Sequence, residues 1–229
     1  MRILLTNDDG IHAPGLAVLE RIAARFSEDV WICAPDEEQS GAGHSLTLTR
    51  PVRLKQHTER RFSVTGTPTD AITMALKRLM PEPPDLILSG VNRGANLGDD
   101  VTYSGTVSAA FEGALAGIRS IALSQVYVSE GLGDAVSFES AESWGERTIR
   151  PLLDTPFAPR SLVNINFPPL AADKAYAWFA RVFTTILGVQ LSKARIHAAS
   201  AISGLACTVS SRLPAMPVTL RRLPMAMSR

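Results

Sequence analysis

Met1–Gly10 reads MRILLTNDDG: three aliphatic residues, Ile3, Leu4 and Leu5, run straight into Asn7, two adjacent carboxylates and a glycine. A short apolar run closed by turn residues suits a strand buried on both faces. The next segment has a different period. Gly15–Phe26 places Leu16, Leu19, Ile22, Ala23 and Phe26 at spacings of three and four, which is a helical face. The alternation continues through roughly the first 170 residues. Further strands are predicted at Val30–Ala34, Pro51–Gln56, Phe62–Thr65, Asp85–Ser89, Ser120–Ser124 and Ser161–Ile165, with Arg2–Thr6 as the first. Helical spacing marks Thr69–Met80, Gly105–Ala116 and Glu139–Leu153. Alternating strands and helices imply an α/β fold: a Rossmann-like, mostly parallel sheet flanked by helices.

Sheets of this kind bind ligands outside the carboxyl ends of their strands. Asn7-Asp8-Asp9-Gly10 follows the first apolar run and Pro35–Ser45 the second. Gly66-Thr67-Pro68 and Gly90–Asp100 follow later ones. The polar motifs therefore converge on one edge, and this convergence carries more weight than any single motif.

Composition sets the broad class. The chain has 229 residues, 45% of them hydrophobic and 20% charged, as a soluble globular protein has. No apolar stretch approaches about 18 residues, so no membrane span is expected. The N-terminus opens on a strand without the regions of a signal peptide, and the expected location is cytoplasmic. Cys33 lies in the apolar run Val30–Ala34 and reads as a small core residue; with Cys207 it defines neither a disulfide framework nor a metal motif. The net charge of +1 conceals an asymmetry. Residues 1–174 carry 16 basic and all 22 acidic residues, whereas 175–229 carry seven basic residues and no acid. That break divides the chain into an α/β domain, 1–174, and a basic tail, 175–229, in which Pro214, Pro217 and Pro224 interrupt the last stretch. The tail lacks interleaved aromatics and the rest is acidic, which argues against nucleic acid as a partner.

Adjacent carboxylates at the end of a buried strand repel one another, and desolvation worsens the conflict. A divalent cation with a preference for oxygen, Mg²⁺, Mn²⁺ or Ca²⁺, relieves it between Asp8 and Asp9; the alternative is a solvated Asn-Asp-Asp-Gly turn. Gln39–Ser45 is a small-residue loop whose glycines permit close backbone approach and whose hydroxyls, Ser40 among them, can meet a phosphate or a metal, or it is simply a mobile loop. His44 within it is a proton donor or an exposed loop histidine. In Ser89–Asp100, Asn92 can offer a carbonyl oxygen to a hard cation and Asn96 an amide to a phosphate oxygen, unless both serve an Asx-rich turn. Ser104-Gly105-Thr106 opens a helix, which makes an anion site or an N-cap. Thr67-Pro68-Thr69-Asp70 reads as a cap, with Pro68 at the first helical position and Asp70 at the third.

These segments closely resemble the SurE survival-protein family: MRILLTNDDGIHAPG (1–15), SGAGHSLT (40–47), GTPTD (66–70), SGVNRGANLGDD (89–100) and YSGTVS (103–108), in order, with the match ending near Asn164–Pro168. The resemblance implies a metal-dependent phosphomonoesterase acting on nucleoside 5′- and 3′-monophosphates, sometimes with short-chain polyphosphate. It implies one divalent cation, Mg²⁺ or Mn²⁺, on Asp8, Asp9, Ser40 and Asn92, with Asp8 and Asp9 catalytic. Phosphate contacts fall on Asn96, Ser104, Gly105 and Thr106. A homo-oligomer, dimer or tetramer, is also implied.

Beyond about Ala175 the motifs stop and no element is assigned. Thr184–Gly188 can be encoded so that an overlapping frame reads His-Asp-Tyr-Ser-Arg, a family-like stretch, which points to a displaced reading frame. A protein that keeps the metal and nucleotide pocket but is catalytically impaired by its tail is the alternative to an active enzyme. An aspartyl-phosphate phosphotransferase fits less well, because the acids are adjacent and no lysine follows the candidate strand ends.

Overall fold

Leu4 and Ile87, alternating with Ile3, Leu5, Leu86 and Leu88, fill both faces of two neighbouring central strands, and all six are fully buried. The computed structural model describes residues 1–127 and 137–169 and the strands at 178–185 and 188–195. Its elements are β1 (Ile3–Thr6), α1 (Pro14–Ala23), β2 (Val30–Pro35), β3 (Leu54–Thr58), β4 (Arg61–Val64), α2 (Pro68–Met74), β5 (Leu86–Arg93), α3 (Gly105–Leu115), β6 (Arg119–Gln125), α4 (Glu139–Leu153), β7 (Leu162–Phe167), β8 (Trp178–Thr185) and β9 (Gly188–Arg195). They form one sheet in the order β3-β4-β2-β1-β5-β6-β7-β8-β9. The pairings β4-β2-β1-β5-β6-β7 are parallel throughout, whereas β3, β8 and β9 join antiparallel. The mostly parallel sheet expected from the sequence is what forms.

The helices divide between the faces. Leu16, Leu19 and Ile22 of α1 and Ile149 of α4 pack on Ile3, Leu5, Leu86, Leu88, Ile121 and Val163. Ala71 and Ile72 of α2 and Ala109 of α3 pack on Leu4, Cys33 and Ile87, so Cys33 is the core residue expected, its thiol pushed up to about 12 by burial. From β1 the chain crosses to β2 on one side; from β5, the other neighbour of β1, it crosses to β6 on the opposite side. The carboxyl ends of β1 and β5 are therefore the topological switch point, where such sheets open a crevice.

Local departures from the expected elements have physical causes. The stretch predicted as one helix over Thr69–Met80 is α2 followed by a π-helical turn over Ala75–Leu79, and it stops at Met80, extended ahead of Pro81. β5 does not end at Ser89 but runs to Arg93, with a register irregularity between Ser89 and Asn92. Gly90 permits it: φ there is 136°, and a Cβ would lie 2.2 Å from the Leu123 carbonyl oxygen. β3 begins at Leu54 rather than Pro51, since Pro51 has no N–H for the ladder and the Arg53 N–H goes instead to Thr65 Oγ1 at 2.9 Å. Past residue 175, where the sequence alone assigns no element, β8 and β9 carry the sheet to Arg195; the rest of the tail, including Ile186–Leu187 of the reading-frame question, lies outside the described residues.

Candidate active site

Asn7 closes the turn after β1 by donating Nδ2–H to the Gly10 carbonyl at 2.8 Å. Two backbone bonds tie this turn to the loop after β2: Gln39 N–H donates to the Asp8 carbonyl at 2.7 Å, and Ile11 N–H to the Pro35 carbonyl at 2.8 Å. The paired carboxylates then part company. Asp8, 4% exposed, turns toward the start of α3, where its Oδ1 accepts the Thr106 hydroxyl proton. Asp9 is half-buried and accepts the Arg93 N–H at Oδ2, 3.3 Å away, from the far end of β5.

Helix α3 reaches this close to Asp8 because Gly105 lacks a side chain: a Cβ there would stand 2.8 Å from Asp8 Cβ and 3.0 Å from Oδ2. Ser104 is the N-cap, its Oγ accepting the Val107 N–H at 3.1 Å. The cap reading of Ser104 is thus met, and the helix start it organises faces a carboxylate.

Burial pushes the Asp8 carboxyl up to about 6, and the neighbouring Asp9 charge adds to the rise; the Thr106 hydroxyl and the N–H groups of Asp8 and Thr106 oppose it. Asp9 is raised as well, first by burial and then by the charge of Glu38, against the hydrogen bond from Arg93. Two acids that both resist ionisation at one edge form a site whose negative charge is under-compensated, even with the Arg93 charge acting on Asp9.

The donor atoms suit a hard cation. One oxygen of each carboxylate is held by a named donor, Asp8 Oδ1 by the Thr106 hydroxyl and Asp9 Oδ2 by the Arg93 N–H, and the N–H groups of Asp8 and Thr106 also bear on the Asp8 carboxyl. Asn7 Oδ1, fully buried beside them, has no hydrogen-bond partner. Asn92 commits its Nδ2 to the Gly94 carbonyl at 3.0 Å, which orients Oδ1 the other way. Ser40 donates its hydroxyl to Glu38 Oε1 at 2.7 Å, leaving its lone pairs as acceptors. Carboxylate, amide and hydroxyl oxygens are the ligands Mg²⁺, Mn²⁺ and Ca²⁺ prefer. Among the described residues no three His, Cys, Asp or Glu side chains cluster, so a cation here would depend on amide and hydroxyl oxygens beside the two carboxylates.

Asn96 is 5% exposed and held on three sides. Its N–H donates to Asn166 Oδ1 at 2.8 Å, its carbonyl accepts from Asn164 and Asn166, and its Nδ2 donates to Ser124 Oγ at 2.9 Å. Sequence reasoning did not single out Asn164 and Asn166 as site supports; the signal was two amides alternating with Ile165 in a strand buried along its whole length. Glu38 was missed likewise, although Asp36-Glu37-Glu38 directly precedes the small-residue loop. His44 is the exposed loop histidine of the alternative reading, though not a free one: Nε2 lies 2.9 Å from Glu112 Oε2 on α3, with its ring edge-on to Phe111. A polar cleft of about 310 Å³, lined by Glu37, Gln39, Arg50, Arg53 and Gly66 among others, opens between the loop after β2 and the approach to β3.

Comparison with known proteins agrees with the motifs. The family model described as survival protein SurE matches residues 3–189. The protein from Rhizorhabdus wittichii named 5′-nucleotidase SurE is 72% identical over 169 residues, covering 73% of this chain and 66% of that one. A protein of the same name from Erythrobacter litoralis is 66% identical over 175 residues, covering 76% and 69%. The chain thus spans about two thirds of the length of these relatives. The crystal structure of the SurE protein from Aquifex aeolicus superposes with a TM-score of 0.68 at 33% identity, over 85% of this chain and 82% of that one. On the ordered motifs, the sheet and these matches together, the chain belongs to the SurE family.

Proposed function

We propose that this chain is a divalent-cation-dependent phosphomonoesterase that hydrolyses nucleoside 5′-monophosphates, and 3′-monophosphates, to nucleoside and phosphate. The observation that carries the reading is the pair Asp8 and Asp9 at the switch point of the sheet, each with one oxygen held in place by a donor from a distant element. Relatives at 72% and 66% identity bear the name 5′-nucleotidase, which supports the same chemistry.

Asp8, Asp9, Ser40 and Asn92 would hold the cation, Mg²⁺ or Mn²⁺. When bound, it supplies Lewis-acid polarisation of the phosphoryl group and acidifies water. Asp9 or Asp8 orients the attacking water and takes its proton. Asn96, which keeps a second amide N–H beyond its bond to Ser124, and the helix start Ser104-Gly105-Thr106 would contact the phosphate, as the family resemblance implies, and hold its oxygens as charge builds. The cleft beside Gln39, whose backbone is bonded to Asp8, offers room for the nucleoside. All of these groups lie within 1–174, the catalytic domain of this reading. Among the described residues no helix is long and apolar enough to cross a membrane. A cytoplasmic location and a homo-oligomer, dimer or tetramer, belong to the same reading through the family resemblance.

Phosphate release from AMP with Mn²⁺, Mg²⁺ or chelator tests the reading. The wild-type chain should turn over with metal and stop with chelator, and Asp9→Asn should lose at least about a thousandfold in kcat, as removal of a group acting in the transition state does. Near-normal turnover by Asp9→Asn refutes the assignment of that residue; no turnover by the wild type refutes the activity.

A further inference from the structure

We infer that Thr106 is a positioning residue whose hydroxyl fixes the Asp8 carboxylate, so that a single chosen oxygen, Oδ2, is presented to the cation. The inference rests on the proposed phosphomonoesterase function and deepens it: the helix start faces two ways, and the Thr106 side chain belongs to the metal side.

Thr106 has no exposed surface, and its hydroxyl donates to Asp8 Oδ1. A hydroxyl has one proton to give, so one spent on Asp8 is not available to a phosphate oxygen. Among the described residues this is the side-chain hydrogen bond that Asp8 receives. Other hydroxyls are buried on this side of the sheet, Thr6 and Ser89 (register partners in β1 and β5) and Ser108 on α3 among them. Among the described residues, Thr106 is the one whose hydroxyl donates to the Asp8 carboxylate. Gly105 completes the clamp. A Cβ at that position would stand 2.8 Å from Asp8 Cβ and 3.0 Å from Oδ2, so glycine lets the helix start come close to the carboxyl group while keeping that space beside Oδ2 free of a side-chain atom. Threonine is stiff at χ1, so a hydroxyl on the first turn of a capped helix is a rigid reference point. Groups that orient a metal ligand in this way commonly change metal affinity 10- to 100-fold when removed.

The test uses the full chain with Thr106→Val, which keeps the shape and removes the hydroxyl, and Thr106→Ser, which restores it. Mn²⁺ binding is measured by titration calorimetry, separately from kcat and KM for AMP at saturating Mn²⁺, with circular dichroism to confirm folding. Thr106→Val should weaken Mn²⁺ binding about 10- to 100-fold and lower kcat, with KM for AMP within about twofold; Thr106→Ser should recover Mn²⁺ affinity to within a few-fold. Should Thr106→Val not fold, Thr106→Ala carries the same comparison with a small gap in place of a methyl against the carboxyl. Wild-type Mn²⁺ affinity in the variant lacking the hydroxyl, or a rise confined to KM for AMP, overturns the inference and returns Thr106 to the phosphate. A wild type that neither binds Mn²⁺ nor releases phosphate would overturn the enzyme reading itself, a distinct outcome.

Discussion

The two helical layers of this sheet are built from different materials. Between α1 and α4 the contact is apolar and close: Ile22 and Ile149 are fully buried, and Gly145 lets the helices approach until a Cβ would stand 2.7 Å from Ile22 Cδ1. On α2 and α3 the buried apolar residues are mostly alanines, Ala71, Ala109, Ala110 and Ala114, beside Ile72 and Val107, and polar side chains are buried among them, Thr69, Asp70, Ser104, Thr106 and Ser108. The second layer gives up apolar area and gains helix ends with work to do. The α2 cap shows it well. Thr67 and Asp70 form the expected capping box, and the same groups hold the small-residue loop: Asp70 accepts the Thr47 N–H at 3.1 Å and its hydroxyl at 2.6 Å, while Thr67 donates to the Ser45 carbonyl at 2.7 Å. α4, in the other layer, uses its first turn for packing, with the Ala141 N–H given to Gln125 Oε1 at 3.0 Å. One layer holds the sheet together, and the other, at some cost in stability, holds Asp8 and the loops around it.

The sharpest way to expose that cost is Asp8→Asn. The folded-state value of Asp8, about 6, lies above its ordinary 3.8. Between those values the fold binds more protons than the unfolded chain, so the metal-free protein loses stability as pH rises through this window and stays lower above it. Each unit is worth about 1.4 kcal/mol, so a buried, ionised Asp8 costs roughly 3 kcal/mol at neutral pH. Asp8→Asn should therefore abolish phosphate release and yet, in chelator at pH 8, unfold at higher denaturant than wild type by up to about that amount, the gap closing below about pH 4. Saturating Mn²⁺ should stabilise wild type by about 2.7 kcal/mol at a hundredfold excess over Kd and leave the variant unmoved. Equal stability of the two metal-free proteins across pH 4–8 would show that Asp8 is not strained by its burial.

The opposite layer predicts the opposite outcome. Ile22→Ala removes a fully buried side chain from the face that packs α1 on the sheet and on α4. Large-to-small changes of this kind cost about 2–5 kcal/mol. Urea unfolding should show that loss, while kcat per folded molecule stays within about twofold, because Asp8 is clamped from the other side of the sheet. A fall in kcat with the fold intact would mean that the two layers are coupled through β1.

Legibility in the sequence divides along the same line. Apolar periodicity marks the packing layer directly: Glu139–Leu153 forms over the predicted residues, and α1 starts one residue early at Pro14 and ends at Ala23, where its last turn tightens, the Phe26 N–H bonding the Ala23 carbonyl. The motifs of the candidate site are legible as residue types, Asp8, Asp9, Ser40, Asn92, Asn96 and the helix start, because they follow the apolar runs as turns, loops and caps; the roles proposed for them come from the family resemblance. Their partners were not. Thr106 to Asp8 spans 98 residues, and Asn166 to Asn96 spans 70, and no local pattern announces a hydrogen bond across that distance. Glu38 and Ser40 are two apart, but an acid beside a small-residue loop is ordinary surface composition until Asp9 is placed next to it. β8 and β9 escaped for another reason. Trp178–Thr185 mixes aromatic, β-branched and charged residues without clean alternation, and its strand character depends on pairing with β7 rather than on its own period.

The smallest expected effect separates apolar from ionic cohesion within the packing layer. Arg21 on α1 forks onto Glu142 in the first turn of α4, Nε to Oε1 at 2.7 Å and Nη2 to Oε2 at 2.8 Å. The hydrogen bond from Arg21 holds the Glu142 carboxyl below the usual glutamate range, so whatever the pair contributes is present above the ordinary glutamate value and lost as pH falls through the lowered one. Both side chains are substantially exposed, 54% and 34%, so water and salt screen the attraction. Exposed pairs contribute about 0.2–1 kcal/mol, and a bidentate fork belongs at the upper end. A double-mutant cycle of Arg21→Ala and Glu142→Ala by urea unfolding at pH 7 should return a coupling under about 1 kcal/mol that fades in about 1 M salt. A coupling above about 2 kcal/mol that survives salt would contradict an apolar account of this layer, because the α1–α4 contact would then owe as much to one ion pair as to Ile22 and the glycine that admits it.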